Sequence, residues 1–379
     1  VRIALVHDDL TQRGGAERVV VALHQLWPDA PIFTSVYDPG ATFAEFKHAD
    51  VRTSFMQGLP GASSARYNKL FLPLYPRAFE SLDLRGFDVV LSHGTRFAHG
   101  VITGPETCHL HYCHTPTRFA WRYQEYIEEG NFGKGAKAAL PPIIHRLRQW
   151  DFLAAQRPDF YFGNSRNICK RIAKFYRRDA DVLYPPVETS RFSPVENPSK
   201  DYFLVVSRLL PYKKVDLAVE ACNRLKAPLK VVGTGPDLER LKSLAGPSVE
   251  ILGRVPDGQV ESLFANCRAF LFPGEEDFGI APVEAMAAGR PVVALGAGGA
   301  LETVIDGVTG TFFPEPTAES LADALERIDS LAIDPARLCA HAEKFNRSAF
   351  ERRLKSLIER CCKKHAERLA AIDTREAFS

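Results

Sequence analysis

The feature that most constrains this chain is an alternation of short apolar runs and amphipathic segments that stops once and then starts again. RIALVH reads as a strand, and ERVVVALHQL as a helix with Val19, Val20 and Leu23 at helical spacing. FDVVLSH, HLHYCH and DFYFGNS read as further strands, and RNICKRIAKFY as a helix. Residues 183–200, LYPPVETSRFSPVENPSK, are rich in proline and polar side chains and read as a linker. The alternation then resumes through YFLVVSRL, VDLAVEACNRL, LKVVGTG, PDLERLKSL, VEILGRV, DGQVESLFANC, RAFLFPG, APVEAMAAG and PVVALG. TAESLADALERI follows as a helix, and from Phe345 to about Leu369 the chain reads as one or two amphipathic helices. Strand–helix alternation folds as a parallel sheet covered on both faces. At 379 residues the chain exceeds one ordinary core. The expectation is an α/β protein of two Rossmann-like domains facing a deep cleft. The N-terminal domain spans 1–182 and the C-terminal domain 201–344, with helices of 345–379 crossing back onto the N-terminal domain.

Composition narrows the classes. A net charge of +2 gives no reason to expect nucleic acid as a partner. Eight scattered cysteines include no CxxC spacing, so they read as reduced thiols of a cytosol-like compartment. The first residues read as a buried strand rather than a leader. No apolar run approaches the roughly 18 residues needed to span a bilayer.

In doubly wound sheets ligands bind beyond the carboxyl ends of the strands, so the loops that follow strands carry the chemistry. After the first strand comes DDLTQRGGAER. Gly14 and Gly15 allow close backbone approach, and the helix beginning near Ala16 offers free N–H groups to an anion. A plain strand-to-helix turn uses the same glycines. SRLLPYKKVD places Arg208 and Lys214 six apart on one loop, where two cations suit a diphosphate and also suit solvent. In VVGTGPDLERL the Gly233-Thr234-Gly235 turn precedes Pro236, read as lying in the first helical turn. In PGEEDFGIAPVEAMAAG, Glu276 precedes the Phe278-Gly279 turn, and Glu284 is read in the first turn of a helix opened by Pro282. One glutamate there would suit the helix dipole; two acids around a glycine turn suit paired hydroxyls. Cationic, glycine-rich and acidic loops at strand ends together describe a nucleotide-sugar site.

The GGAERVV loop, the R-x5-K of SRLLPYKK, the GTGP turn, the GRV strand end and the E-x7-E of EEDFGIAPVEAMAAGRPVVA resemble the retaining GT-B glycosyltransferases of family 4. The resemblance covers nearly the whole chain, and its specific part is E-x7-E followed by EAMAAGRPVVA. It implies that Gly15, beside Gly14, lies against the donor diphosphate or sugar, and that Arg208 and Lys214 bind the diphosphate and stabilise the leaving group. Glu276 would bind the transferred sugar, with Phe278 and Gly279 lending backbone donors, and Glu284 would hold the ribose. Arg254 and Val255 would lie beside the base, with Thr234 and Gly235 near the diphosphate and nucleoside. His114, followed by Thr115-Pro116, matches a family histidine near the reaction centre. Val215 stands where many relatives carry glycine, which brings Lys213 into competition with Lys214.

No cofactor and no metal are expected, because the family uses none. His109 and His111 read as partly buried strand residues, and Asp179-Ala180-Asp181 as solvated surface. The GGAER start and HYCHTPTRFAW look most like bacterial mannosyltransferases of exopolysaccharide or O-antigen assembly. That implies GDP-mannose as donor and a polyprenyl-diphosphate glycolipid or oligosaccharide as acceptor. Residues 140–178 carry nine Lys or Arg against two acids, and NKLFLPLYPRAF is aromatic and basic. Both suit peripheral binding to the anionic inner face of a plasma membrane by a cytoplasmic protein, and the basic run equally suits a solvated helix face. Three alternatives stand beside this reading: a UDP-sugar transferase of the same fold, a GT-B-like UDP-sugar epimerase, and a non-catalytic nucleotide-sugar sensor.

Overall fold

A computed structural model of the chain describes residues 1–64, 68–124, 127 and 134–373. The chain forms two compact units, residues 1–183 joined by the chain from Glu351 onward, and Tyr184–Phe350. Unit 1 holds a seven-stranded sheet in the order β3-β2-β1-β4-β5-β6-β7. Its strands are β1 Ile3–His7, β2 Ile32–Thr34, β3 Val51–Thr53, β4 Val89–Gly94, β5 Cys108–Cys113, β6 Phe160–Gly163 and β7 Ala180–Val182, all paired in parallel. Unit 2 holds β8 Phe203–Val206, β9 Leu229–Val232, β10 Val249–Gly253, β11 Phe270–Phe272, β12 Val292–Leu295 and β13 Gly310–Phe313. Their order is β10-β9-β8-β11-β12-β13, again parallel throughout. Each sheet reverses its winding once, between β1 and β4 and between β8 and β11. A crevice opens at the carboxyl ends of the strands at such a reversal.

The sequence dictates these layers by simple spacing. Along β8, Phe203 and Val205 enter the core on one face of the sheet and Leu204 the core on the other. The helix Val215–Leu225 buries Val215, Ala218, Val219 and Cys222 in one stripe. Segment 183–200 is ordered. Leu183 N donates to Gly163 O within unit 1, while Val187 and Phe192 are buried in unit 2 and Val187 N donates to Phe345 O at 3.0 Å. The C-terminal segment is one helix, Arg347–Asp373, and residues 374–379 lie outside the described residues.

Several expectations are corrected. The helix expected from Pro282 begins two residues earlier and spans Ile280–Ala287, because the first four N–H groups of a helix need no intrahelical partner and proline fits among them. Glu284 therefore sits in the second turn. Pro236 lies outside its helix, which begins at Leu238. His109 and His111 are fully buried, since Ser92 Oγ lies 2.8 Å from His109 Nε2 and 2.9 Å from His111 Nδ1 and satisfies one nitrogen of each. β5 pairs with β4 in unbroken register from Cys108 to Cys113. NKLFLPLYPRAF is not an interfacial loop: Leu72, Tyr75 and Phe79 are core residues on two successive helical pieces, Asn68–Leu74 and Tyr75–Glu80. The side chains of residues 68–70 lie outside the described residues. Asp181 lies at the surface as read, on edge strand β7, where it accepts from Arg360 of the C-terminal helix.

Asp8, just past β1, fixes the reversal in unit 1. Its buried carboxylate accepts from the backbone N–H of Thr95 (2.7 Å), Arg96 (3.0 Å), Phe97 (2.8 Å) and Ala98 (2.9 Å), the loop after β4. Burial raises its pKa, but the Arg96 and His7 charges and these N–H groups outweigh it, and the net shift is below 3.8. Its contribution to stability is thus complete above pH 3.8 and is lost as pH falls through the lowered value. Asp8→Ala strands four buried donors and should destabilise the chain by about 3–5 kcal/mol, whereas Asp8→Asn keeps one acceptor oxygen and costs less. Thermal unfolding of the two variants checks this, and equal melting temperatures would remove Asp8 from its place in the fold.

Candidate active site

The loops that end β8 and β11 meet in unit 2. After β8, Pro211–Lys213 form a single 3-10 turn, and Lys214 takes a left-handed conformation (φ 51°) before the helix Val215–Leu225. Val215 is buried in the core, so the position where glycine was expected is a packing anchor and Lys214 absorbs the turn. After β11, Gly274 runs so close to the first loop that a Cβ there would stand 2.8 Å from the carbonyl oxygens of Tyr212 and Lys213. That backbone contact delivers the side chains. Lys213 Nζ lies 2.5 Å from Glu276 Oε2, with the two side chains 15% and 22% exposed. Arg208 and Lys214 are exposed, and among the described residues neither the guanidinium nor the ammonium forms an ion pair. One cation of the loop is thus committed to the acid and two remain for a ligand.

Gly279, at φ +91°, caps the helix Ile280–Ala287 and lies against the Phe272 ring, where no side chain fits. Phe278 is buried against Tyr184 and Phe345, with ring centroids 5.6 Å away in each case. The turn therefore presents backbone rather than side chain at the strand end. Glu284 is half-buried on this helix. Behind the turn, Gly299 N donates to Glu276 O at 2.8 Å, so the loop after β12 braces the acidic loop.

Thr234 and Gly235 follow β9, and the Thr234 carbonyl accepts from Leu209 N at 3.0 Å, tying this loop to the cationic one. Gly233 N donates to Gly253 O at 2.8 Å, which brings Arg254 and Val255 beside it. Arg254 is exposed and Val255 half-buried. Arg208, Lys213, Lys214, Thr234, Gly235, Arg254, Val255, Glu276, Phe278, Gly279 and Glu284 thus all follow the carboxyl ends of neighbouring strands of one sheet.

In unit 1, Gly14 caps the helix Gly15–Leu26, and Gly15 is exposed. A Cβ on Gly14 would lie 2.6 Å from Glu17 Oε2, so the glycine leaves room for that buried acid. Glu17 Oε1 accepts from Gln12 Nε2 and lies 3.6 Å from His7 Nε2, with His7 and Glu17 both buried. Burial lowers the His7 pKa, yet Glu17 pulls it above 6.5; burial raises that of Glu17, yet His7 pulls it below 4.5. The His7 ring stacks on His93 at 4.4 Å, and His93 Nδ1 lies 3.4 Å from His114 Nε2. His93 is kept neutral by burial and by its histidine neighbours. A chain of side-chain contacts, one of them a ring stack, therefore runs from Glu17, under the glycine loop, to His114 just past β5. Glu17, His7, His93, Asp8 and the Gly299 brace were not singled out in the sequence; Glu17 stood in plain view in GGAER.

Residues 186–347 match the family model described as glycosyl transferases group 1. A solved structure of HepE from Anabaena, in complex with UDP, matches with a TM-score of 0.69 at 18% identity, covering 95% of this chain and 100% of its own. This chain is a glycosyltransferase of the GT-B fold. Over 95% of its length and 98% of the relative's, the transferase is 23% identical to the alpha-1,3/1,6-mannosyltransferase ALG2 of Dictyostelium discoideum. Over 46% of its length and 53% of the relative's, it is 30% identical to the GDP-mannose-dependent alpha-(1-6)-phosphatidylinositol monomannoside mannosyltransferase of Mycolicibacterium smegmatis. Its chemistry is nucleotide-sugar-dependent glycosyl transfer.

The buried His7–Glu17 pair makes the transferase sensitive to pH in a stated direction. The raised histidine contributes stability fully below pH 6.5 and loses it as pH rises through its folded value. The lowered glutamate contributes fully above pH 4.5 and loses it as pH falls through its folded value. Glu17→Gln should therefore cost most between those limits, on the order of 3 kcal/mol at pH 5.5–6. Melting curves of wild type and variant across pH 4–8 test this; parallel curves would contradict it.

Proposed function

We propose that the transferase moves mannose from GDP-mannose, with retention at the anomeric carbon, onto a polyprenyl-diphosphate-linked oligosaccharide in bacterial surface polysaccharide synthesis. The observation that carries the donor half is the grouping at the end of β8 and β11: Lys213 holds Glu276, and Arg208 and Lys214 remain uncommitted. The sugar rests on relatives that are mannosyltransferases by name, one of them GDP-mannose-dependent. The acceptor rests on the likeness of GGAER and HYCHTPTRFAW to exopolysaccharide and O-antigen enzymes.

In this mechanism Arg208 and Lys214 bind the diphosphate and neutralise the charge that grows on it as the bond from C1 to the phosphate oxygen breaks. The acceptor hydroxyl bonds to C1 from the same face, and its proton passes to the departing phosphate oxygen. Glu276, oriented by Lys213, accepts hydrogen bonds from the mannose hydroxyls, while Phe278 and Gly279 offer backbone N–H groups. Glu284 holds the ribose, Arg254 and Val255 flank the base, and Thr234 and Gly235 line the diphosphate. In unit 1, Gly14 and Gly15 serve the diphosphate or sugar, and His114 serves the reaction centre.

Peripheral membrane association belongs to the same proposal. The helix Arg166–Tyr176 buries Ile168, Ile172 and Tyr176 and turns Arg166, Lys170, Lys174 and the following Arg177 outward, a basic stripe suited to anionic lipid. Arg148, Arg157 and Arg178 are committed instead to backbone carbonyls. No helix among the described residues is long and apolar enough to cross a membrane.

The test supplies GDP-mannose, UDP-glucose and UDP-GlcNAc in parallel with a synthetic polyprenyl-diphosphate oligosaccharide. GDP-mannose should be consumed with an α-linked product, and Arg208→Ala or Glu276→Gln should lower kcat/KM about 100-fold or more without changing Tm. Lys213→Met should act like Glu276→Gln, because the acid loses its orienting partner. Preference for a UDP-sugar, a β-linked product or full activity in these variants would overturn the proposal.

A further inference from the structure

At the amino-terminal ends of the unit 1 strands, away from the catalytic loops, four side chains with metal-binding chemistry converge. Cys108 opens β5 and is 2% exposed. Asp159 stands directly before β6, and its Oδ2 accepts from His109 N at 2.9 Å, which aims the carboxylate. Cys362 and His365 lie one turn apart on the helix Arg347–Asp373, so they share a face. One donor atom from each of Cys108, Asp159 and His365 lies within 4.8 Å of the others. Cys362, on the same helix as His365, lies near enough to Cys108 for the two thiols to interact, which brings a fourth donor beside these three. Both cysteines are free thiols.

Hydrogen bonding leaves this cluster poorly satisfied. The His365 side chain is 11% exposed, its Nδ1 is 3.6 Å from Asp159 Oδ1, and its Nε2 is buried without a hydrogen-bond partner. Thiols are weak donors and weak acceptors, and an orphaned buried ring nitrogen costs stability. Two sulfurs, an imidazole and a carboxylate are the donor types of a tetrahedral zinc site, where donor atoms stand about 3.5 Å apart around bonds of roughly 2.0–2.3 Å. The observed spacing needs to close by about 1 Å, within the reach of small side-chain rotations.

We propose that Cys108, Asp159, Cys362 and His365 form a structural site for a thiophilic divalent cation, zinc by its donor set, that fastens the C-terminal helix to the starts of β5 and β6. The site plays no part in sugar transfer. It lies at the far end of β5 from His114, some 20 Å along a six-residue strand. Binding replaces two thiol protons with one metal ion and releases both protons, so affinity falls as pH falls. The cation joins residues about 250 positions apart in sequence, a long-range tie between the helix and the sheet.

The experiment uses the full chain, reduced, stripped with a chelator and titrated with Co2+ and then Zn2+. One Co2+ per chain should bind with a thiolate-to-cobalt charge-transfer band and the visible bands of tetrahedral geometry; Zn2+ should displace it and raise Tm. Cys362→Ser should weaken the charge-transfer band by about half, and His365→Asn should lower metal affinity about tenfold or more. Circular dichroism establishes that both variants are folded. A folded wild-type chain that gives no such band, bands that neither substitution changes, or a Cys108–Cys362 disulfide that accounts for the thiols in a peptide map of the freshly purified chain would each overturn the site.

Discussion

The reversal of strand order between β8 and β11 is the constraint on which the functional half of the molecule depends. Parallel strands covered by helices on both faces must send neighbouring crossovers to opposite sides at one point, and the loops there separate. In unit 2 the two loops are drawn back together by backbone contact at Gly274 and by the Lys213–Glu276 pair. That contact orients the acid, spends one of three nearby cations, and leaves two exposed. The residues of unit 2 assigned to the donor follow strand ends of this same sheet.

Unit 1 solves the same geometric problem with different chemistry. At the β1/β4 reversal a buried carboxylate, Asp8, gathers four consecutive backbone N–H groups, and Arg96 supplies compensating charge. Beside it the Glu17–His7 pair underlies the glycine loop and reaches His114 through His93. Buried ionic groups are weak sources of stability but strong sources of position, since removing either partner leaves a charge without compensation. In unit 1 this buried network therefore connects the glycine loop to the strand-end histidine.

Long periodic elements were legible in the sequence because their side chains alternate or repeat. RNICKRIAKFY and VDLAVEACNRL occupy the helices Arg166–Tyr176 and Val215–Leu225 as read. The three-residue strands β2, β3 and β7 carry too few side chains to show a period, and β13 begins at a glycine. The helix Lys134–Ala154 contains Pro141 and Pro142, which in sequence signal an interruption. At the site, the loops were legible from glycine, proline and charge at strand ends. Which lysine meets Glu276 was not, because a left-handed residue at Lys214 rotates adjacent side chains apart, and no local pattern announces it. Asp8 and Glu17 were passed over for a related reason: acids beside a strand end look like surface until the loop that buries them is seen. The four-donor cluster was equally hidden, since Cys108, Asp159 and Cys362 share no motif spacing.

The central claim is that the strand-end loops of unit 2 surround a nucleotide sugar. Hydrogen–deuterium exchange with and without GDP-mannose tests it most directly. Slowed exchange should concentrate in residues 207–214, 233–235, 253–255 and 274–284. Ligand-dependent protection elsewhere, with these loops unchanged at saturating donor, would contradict it.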